Sequence, residues 1–225
     1  MIILKGTCLR SVSEIYLPSR PGVRNIAWTA LVLLFEKTAF FAKENHMSVL
    51  DQVIAAVTPP ESDEARQEAR ANAQAVAVPG GWFAMILDHH LLLEDAFAAT
   101  RAAGDAASRA AALKRLGVIL TGHAIAEEAV IYPGLGKAGE KGHATMGYNE
   151  QVMVKMQMAM LEKLDPMSQD FDDKLEHIRG AVAHHMYQEE GTWFIELSEK
   201  APAADQAMIT QRYQEEWSRY VGADA

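Results

Sequence analysis

The chain has 225 residues, of which 49% are hydrophobic, a share typical of a soluble globular protein with a substantial core. Its 30 acidic residues outnumber the 21 basic ones, and no Lys/Arg cluster interrupts the acidic background, so we expect no nucleic-acid partner. The single cysteine, Cys8, excludes an intramolecular disulfide, and a reducing, cytoplasmic setting fits it best.

The N-terminal part of the chain differs in character from the rest. Its most apolar stretch, residues 27–42, is interrupted by Glu36 and Lys37. We interpret this stretch as a buried or oligomer-facing helix, and the second interpretation would make the protein a homo-oligomer. A membrane anchor is the remaining alternative, although no membrane partner is expected. Residues 1–78 are predicted to form an N-terminal extension that is helical or partly disordered.

Helical spacing dominates the remainder of the chain. Strand signals are almost absent, whereas apolar residues recur at spacings of three and four, and Gly, Pro or Ser residues separate the periodic segments. Ser168 is expected to cap the fourth long helix and Pro133 to end the second. The predicted helices cover residues 82–103, 107–132, 141–164 and 168–198, with a shorter one at 202–220.

Short links between these long helices favour antiparallel neighbours. We therefore predict an all-α fold, an up-down-up-down four-helix bundle with additional N-terminal helices and a short C-terminal helix. Residues 79–200 are expected to form the bundle, and residues 201–225 the C-terminal helix and tail.

An internal repeat relates the two halves of the predicted bundle. The segments HAIAEEAVIY at 123–132 and HMYQEEGTWF at 185–194 align without a gap, His with His and Glu with Glu twice. A similar offset of about sixty residues places His90 of the first helix opposite Glu150 of the third. The bundle is therefore predicted to consist of two related helical hairpins.

Histidine and glutamate recur at a fixed spacing in three of the predicted helices. In each pair the glutamate follows the histidine by four residues, so both side chains project from one helix face about one turn apart. Each histidine lies in register with apolar residues of an inward-facing row, and no Lys or Arg occurs on those rows. The pairs are His90–Glu94, His123–Glu127 and His185–Glu189.

Carboxylates in such apolar surroundings need compensation for their charge, because burying them unpaired is prohibitively costly. Metal cations are the natural compensation. Imidazole and carboxylate donors without thiolate suit iron or manganese, and zinc can compete for them. We expect two ions a few ångströms apart, bridged by Glu127 and Glu189.

Four motifs in this region resemble those of a bacterial hemerythrin domain of the HHE cation-binding family. The resemblance covers about residues 82–197, and its most distinctive parts are the two HxxxEE blocks with their aromatic tails. It implies a four-helix bundle with two non-haem iron ions, whose ligands here would be His90, His123, Glu127, His185 and Glu189. The motifs are DHH at 88–90, HxxxEExxxYP at 123–133, EQ at 150–151 and HxxxEExxWF at 185–194.

The third helix departs from the family pattern. Where the family usually has Glu-His, this chain has Glu150-Gln151, so one histidine is missing. Glu150 is a candidate ligand by the internal repeat, and Glu94 is a candidate to supply the lost donor from the first helix. Whether Glu94, Glu150 or Gln151 replaces that histidine stays open at the level of sequence.

Residues beside the candidate ligands receive supporting roles. The neighbouring histidines and glutamates are expected to face solvent or to orient a ligand. The aromatic residues after the HxxxEE blocks are expected to close the bundle end, and two further tyrosines are candidates to donate to a ligand. These residues are His89, His184, Glu128 and Glu190; Tyr132, Trp193 and Phe194; and Tyr148 and Tyr187.

The resemblance and the ligand pattern predict a protein that binds or senses oxygen or nitric oxide at non-haem iron, as a carrier, a scavenger or part of a stress response. The extra carboxylates Glu94 and Glu150 motivate one alternative, a di-iron peroxidase or ferroxidase-type enzyme. An iron donor or storage protein is the other alternative. Whether the chain is an enzyme therefore stays open.

Overall fold

Helices account for the regular structure of residues 61–222, the part of the chain that the computed structural model describes. No strand occurs in that range, and the predicted all-α bundle is confirmed. Two π-helical stretches interrupt the second and fourth long helices. The α-helices are α1 (Asp63–Val76), α2 (Trp82–Ala102), α3 (Ala106–Ala126), α4 (Tyr132–Lys137), α5 (Lys141–Leu161), α6 (Gln169–Gln188), α7 (Phe194–Lys200) and α8 (Ala203–Val221); the π-helices are π1 (Glu127–Ile131) and π2 (Glu189–Trp193).

Side-chain caps define where several of these helices begin. Ser62 accepts a hydrogen bond from the backbone N–H of Ala65 at the start of α1. Asp105 accepts two at the start of α3, and Ser168 caps α6 as its sequence predicted. Each cap supplies an acceptor for helix N–H groups that have no partner within the helix.

The prediction that Pro133 ends the second helix is wrong. The helix continues from α3 through π1 into α4, and Pro133 lies in the first turn of α4. In π1 the backbone N–H of Tyr132 donates to the carbonyl of Glu127, five residues earlier. By the same pattern Pro133 would face the carbonyl of Glu128 but has no N–H, and the hydroxyl of Tyr148 donates there instead at 2.8 Å.

The bundle core divides into two apolar clusters. One contains Trp82, Phe83 and Phe194, whose rings contact each other edge-on or stacked. The other surrounds Leu116 and Phe171. Along the chain, His90 lies between Leu87 of the first cluster and Leu93 of the second, and His123 lies between Leu120 of the second and Ala126 of the first. The fold thus places the candidate donors in the middle of the bundle.

Two helices outside the bundle pack onto it. α8 contacts α3 and α2, and its buried residues Ile209, Tyr213 and Trp217 recur every four positions. α1 contacts π2 and buries Ala69 and Ala73. Residues 61–222 all belong to one compact unit. The expected boundaries at residues 79 and 200 stay a prediction.

The apolar stretch at 27–42 and Cys8 lie outside the described residues. Within residues 61–222, no helix has both the length and the apolar run that a membrane crossing requires.

Candidate metal centre

Four buried side chains converge between the two apolar clusters. They come from α2, α3, π1 and π2 and are His90, His123, Glu127 and Glu189. One donor atom of each lies within 4.8 Å of the donor atoms of the others. His90, Glu127 and Glu189 are fully buried and His123 is 3% exposed. Such a set of donors from four elements is what a bundle needs to surround one ion.

Several of these donor atoms have no hydrogen-bond partner among the described residues. They are Nε2 of His90, Oε1 of Glu127 and Oε2 of Glu189. The His90 nitrogen lies 3.4 Å from Oε2 of Glu189, and Nε2 of His123 lies 3.4 Å from Oε1 of Glu127. A buried polar atom without a partner is costly, whereas a cation bound between these atoms would satisfy them together. The residues present therefore fit a metal ion.

Each of the three candidate histidines has a partner at Nδ1, so its Nε2 is the atom turned toward the carboxylates. A hydrogen bond at one ring nitrogen fixes both the tautomer and the orientation of the ring, which is the usual arrangement around a ligating histidine. The pairs are His90 with Oε1 of Glu190 at 2.7 Å, His123 with the hydroxyl of Tyr213 at 3.3 Å, and His185 with Oε2 of Glu150 at 2.7 Å.

Polar side chains occupy the opposite face of the two glutamates. Nε2 of His185 lies 3.2 Å from Oε1 of Glu189. The hydroxyl of Tyr132 lies 3.1 Å from both of these atoms. Gln151 donates through Nε2 to Oε2 of Glu127 at 2.6 Å and to the hydroxyl of Tyr132 at 2.7 Å. The glutamate oxygens on this face therefore already accept hydrogen bonds from Gln151 and Tyr132.

Tyr132 enters the centre because of π1. In an α-helix, a residue five positions after Glu127 would point well away from it. The i to i+5 hydrogen bonding of π1 brings residues five apart onto one side, so the Tyr132 hydroxyl lies 3.4 Å from Oε2 of Glu127. The sequence pattern, which predicts a regular helix here, placed Tyr132 among the residues that close the bundle end.

The other three candidate ligands, His185, Glu150 and Glu94, lie outside the four-residue group, although His185 approaches Glu189. Glu150 is bound to Nδ1 of His185, on the side of that ring away from the glutamates. The carboxylate of Glu94 is 46% exposed and accepts hydrogen bonds from Arg70 at 2.9 and 3.0 Å. Arg70 also donates to Glu190, so it connects Glu94 with the partner of His90.

His89 has a partner that the sequence did not indicate. Its Nδ1 lies 2.9 Å from the hydroxyl of Tyr213, and its ring stacks on Trp217 with centroids 3.6 Å apart. Burial, assisted by the neighbouring His90, lowers the pKa of His89 to about 3. A neutral His89 therefore accepts from Tyr213, whose oxygen can accept from Nδ1 of His123. The four-residue spacing of Tyr213 and Trp217 in α8 was the available signal for this contact.

The histidines differ in their affinity for protons. Burial lowers the pKa of His90, but the carboxylates of Glu189 and Glu190 outweigh burial and raise it to about 9. The pKa of His185 is raised well above its ordinary value, mainly by Glu189, against the effect of burial. Burial lowers the pKa of His123 well below its ordinary value.

The pKa values of the two central glutamates are shifted in opposite directions. Burial and the charge of Glu189 raise the pKa of Glu127 well above its usual value. Burial also acts to raise the pKa of Glu189, but His185 and His90 outweigh it and lower this pKa. Like charges that share a buried site behave this way. A metal ion would take the place of the protons that now compensate the centre.

A small cavity of about 20 Å³ adjoins the centre. It lies beside His123, His185 and Gln151. A volume of this size holds about one water-sized molecule. Its apolar walls come from Leu120, Ala124, Val154, Val182 and Met186.

A second group of acidic residues has a counter-charge of its own. Glu140, His143 and Glu196 are half-buried and within reach of one another. The ammonium group of Lys200 pairs with Glu140 and lies 3.1 Å from Glu196, so the protein itself balances these carboxylates. The central group, which has no such lysine, is the stronger metal candidate.

The sequence matches the family described as "Hemerythrin HHE cation binding domain" over residues 83–197, just over half of the chain. The chain belongs to this hemerythrin family. The resemblance drawn from the HxxxEE blocks is thereby confirmed. The family match starts within α2 and ends in α7, so α1 and α8 of this hemerythrin-family chain lie outside it.

One curated protein is similar in sequence to part of this hemerythrin-family chain. The DNA nickase of Nostoc sp. (strain PCC 7120 / SAG 25.82 / UTEX 2576) is 33% identical over 75 residues, which are 33% of this chain and 21% of that protein. The chain therefore spans about a fifth of that relative's length. No solved structure matches the chain.

Proposed function

We propose that this hemerythrin-family chain holds two non-haem iron ions and uses them to bind or sense oxygen or nitric oxide. The proposed ligands are His90, His123, Glu127, His185 and Glu189. The observation that carries the proposal is the set of buried donor atoms without hydrogen-bond partners, contributed by His90 and both glutamates. Family membership supports the same conclusion.

The donor set favours iron. It contains imidazole and carboxylate groups and no thiolate, which suits iron or manganese, and zinc can bind the same atoms. When bound, ferrous iron supplies electron density and an open coordination position to a diatomic ligand. The two glutamates, both fully buried, supply two negative charges that offset part of the charge of the cations.

The residues around the donors position them and restrict access. Glu190, Tyr213 and Glu150 hold the three rings at Nδ1 so that Nε2 faces the centre. The cavity beside His123 and His185 matches the size of a diatomic molecule. Its apolar walls limit the water and protons that reach the site.

We place a carrier, scavenger or stress-response function first. The alternative enzyme function was motivated by Glu94 and Glu150 as extra oxygen ligands, and in the structure Arg70 and His185 bind these two carboxylates. A peroxidase, a ferroxidase or an iron-storage protein is therefore the second choice.

The direct test is metal analysis together with optical spectra of the purified full chain, recorded with and without oxygen. We expect two irons per chain and oxygen-dependent bands of bridged ferric iron in the near ultraviolet. Glu127→Ala is expected to abolish the iron and the bands, because Glu127 contributes to both ion positions. Glu128→Ala is the matched control, since the neighbouring Glu128 pairs with Lys155 instead.

Three results would overturn the proposal. One is a chain that stays free of metal after anaerobic incubation with ferrous iron. Another is an unchanged iron content in a folded Glu127→Ala variant. Iron-loaded protein whose spectrum responds to neither oxygen nor nitric oxide would remove the ligand-binding role. Sustained peroxide consumption well above that of free iron would favour the enzyme alternative.

We further propose that the protein acts in the cytoplasm and without a nucleic-acid partner. The basic side chains on the groove between α2 and α6 are interleaved with acidic ones; Arg109 pairs with Asp172 and Arg179 with Glu176, for example. Supercoiled plasmid incubated with the iron-loaded chain is therefore expected to stay closed. Nicking of the plasmid, the activity that the name of the Nostoc relative gives for that protein, would contradict this expectation.

A further inference from the structure

The two sides of the metal centre are related by the internal repeat, but they carry different residues. His123 and Glu127 of one half correspond to His185 and Glu189 of the other. His90 approaches Glu189 at 3.4 Å from α2. The corresponding approach from α5 is that of Gln151 to Glu127, at 2.6 Å. Gln151 therefore occupies the place that His90 has on the other side.

The oxygen atoms of the bridging glutamates differ in the same way. Oε1 of Glu127 and Oε2 of Glu189, which face His123 and His90, have no hydrogen-bond partner among the described residues. Oε2 of Glu127 and Oε1 of Glu189 have partners in Gln151 and Tyr132. One side of the centre thus has only the longer histidine–carboxylate approaches of 3.4 Å, and the other side has hydrogen bonds from Gln151 and Tyr132.

Tyr132 also breaks the symmetry of the repeat. Its counterpart in the second block is Phe194, which packs in the aromatic cluster with Trp82 and Phe83. Gly147 of α5 lets the Tyr132 ring approach the helix backbone, since a Cβ at position 147 would lie 2.6 Å from Cζ of Tyr132. The hydroxyl is therefore held at the centre by packing as well as by hydrogen bonds.

We propose that the two metal positions are unequal and fill in order. The first position, formed by His90, His123, Glu127 and Glu189, binds its ion tightly. The second position shares the two glutamates and has His185 as its single histidine. An ion there must also displace the hydrogen bonds made by Tyr132 and Gln151. This inference rests on the proposed function, because it assumes that the centre binds metal.

Gln151 still allows the second position to be occupied. Its Oε1 is buried and has no hydrogen-bond partner in the described part of the chain. Rotation of the amide would turn this oxygen toward the ion, but a neutral amide oxygen is a weaker ligand for iron than imidazole. The second ion is therefore expected to bind weakly and to leave first.

The test is an anaerobic titration of the metal-free full chain with ferrous iron, followed by gel filtration against a mild chelator and elemental analysis. We expect two phases, with the second at least about tenfold weaker than the first. One iron per chain should remain after the chelator step. Manganese(II), titrated separately, reports the same order of filling by electron paramagnetic resonance without oxidation.

Three variants assign the phases. Gln151→His restores an imidazole and should tighten the second phase by about tenfold or more, leaving two irons after the chelator step. Tyr132→Phe removes the competing hydroxyl and should tighten the second phase to a smaller degree. His90→Gln makes the first side resemble the second and should remove the tight phase. Far-ultraviolet circular dichroism checks that each variant is folded.

The outcomes separate this inference from the proposed function. A wild-type chain that binds no iron or manganese overturns both. Two ions that bind in one phase of equal affinity, and leave the chelator step together, overturn the inference and leave the proposed function standing. An unchanged second phase in folded Gln151→His and Tyr132→Phe also overturns it. If a variant does not fold, the wild-type titration decides alone.

Discussion

At the residue scale, two of the histidine orientations depend on residues outside the family match, namely Tyr213 and, through Glu190, Arg70. Glu190 holds Nδ1 of His90, and Arg70 of α1 donates three hydrogen bonds to that glutamate. Burial alone would lower the pKa of Arg70, yet Glu94 and Glu190 raise it, so the guanidinium stays charged. Arg70 is therefore a positioning residue that acts on the metal centre through Glu190.

Arg70→Met tests this role. The variant keeps apolar length but releases Glu190, so we expect iron to leave the protein about tenfold faster in a chelator assay. Arg101→Met is the control, because Arg101 is 72% exposed and pairs with Glu176 at the surface. Equal rates of iron loss in the two variants would show that Arg70 only anchors α1.

The metal-free protein should lose stability in mildly alkaline solution. The pKa of His90 is raised to about 9 from 6.5, so protonated His90 stabilises the fold fully below pH 6.5. That contribution is lost as the pH rises through 9, and His185 acts in the same direction. We expect the free energy of unfolding to fall by up to about 3 kcal/mol over this range.

Urea unfolding at pH 6.5 and pH 9 measures this change. The metal-loaded protein is the comparison, since imidazoles that bind a metal carry no proton at Nε2 and the fall should nearly disappear. A metal-free protein that is equally stable at both pH values contradicts the assignment of a charged His90.

At the element scale, regular helical spacing made most of the fold and part of the site predictable. His90, His123, Glu127 and Glu189 were found because i to i+4 spacing holds as far as the first residue of each π-helix. Beyond that point regular spacing fails, and the position of Tyr132 could not be read from the sequence.

Contacts between residues far apart in the chain could not be predicted from the sequence for a different reason. Glu94 has the right spacing for a ligand, but Arg70, on a helix 24 residues earlier, binds its carboxylate. Tyr213 reaches His123 from 90 residues away. Spacing along one helix carries no information on what a separate helix brings to the same point.

The contact between α3 and α8 gives a prediction at this scale. A Cβ at Gly122 would collide with the side chain of Val221, so Gly122→Ala must displace the Val221 side chain and should lower stability by about 1–3 kcal/mol. Gly117→Ala in the same helix meets nothing within 4 Å and should raise stability by up to about 1 kcal/mol. Urea unfolding of both variants compares them directly, and similar values would contradict the close contact.

At the scale of the whole molecule, the centre couples metal binding to folding. Donors from α2, α3 and both π-helices meet at one point, so the unfolded chain has no equivalent site. A ligand at a hundred times its dissociation constant stabilises the native state by about 2.7 kcal/mol. Bound metal should therefore stabilise all of residues 61–222 against unfolding, and not only a local segment.

Thermal unfolding measures this coupling. Saturating manganese or zinc should raise the melting temperature of the metal-free protein by roughly 5–11 °C. Glu127→Ala should show almost no shift, because it removes a residue shared by both positions. A large shift in that variant would place the stabilising ion elsewhere in the protein.

The cavity of about 20 Å³ has a consequence for the reactants of this protein. A compound with more than a few heavy atoms has no space beside His123 and His185 unless Leu120, Val154 or Met186 moves. If the centre binds a gas as proposed, steric exclusion at this cavity would favour small molecules over bulkier ones such as alkyl hydroperoxides.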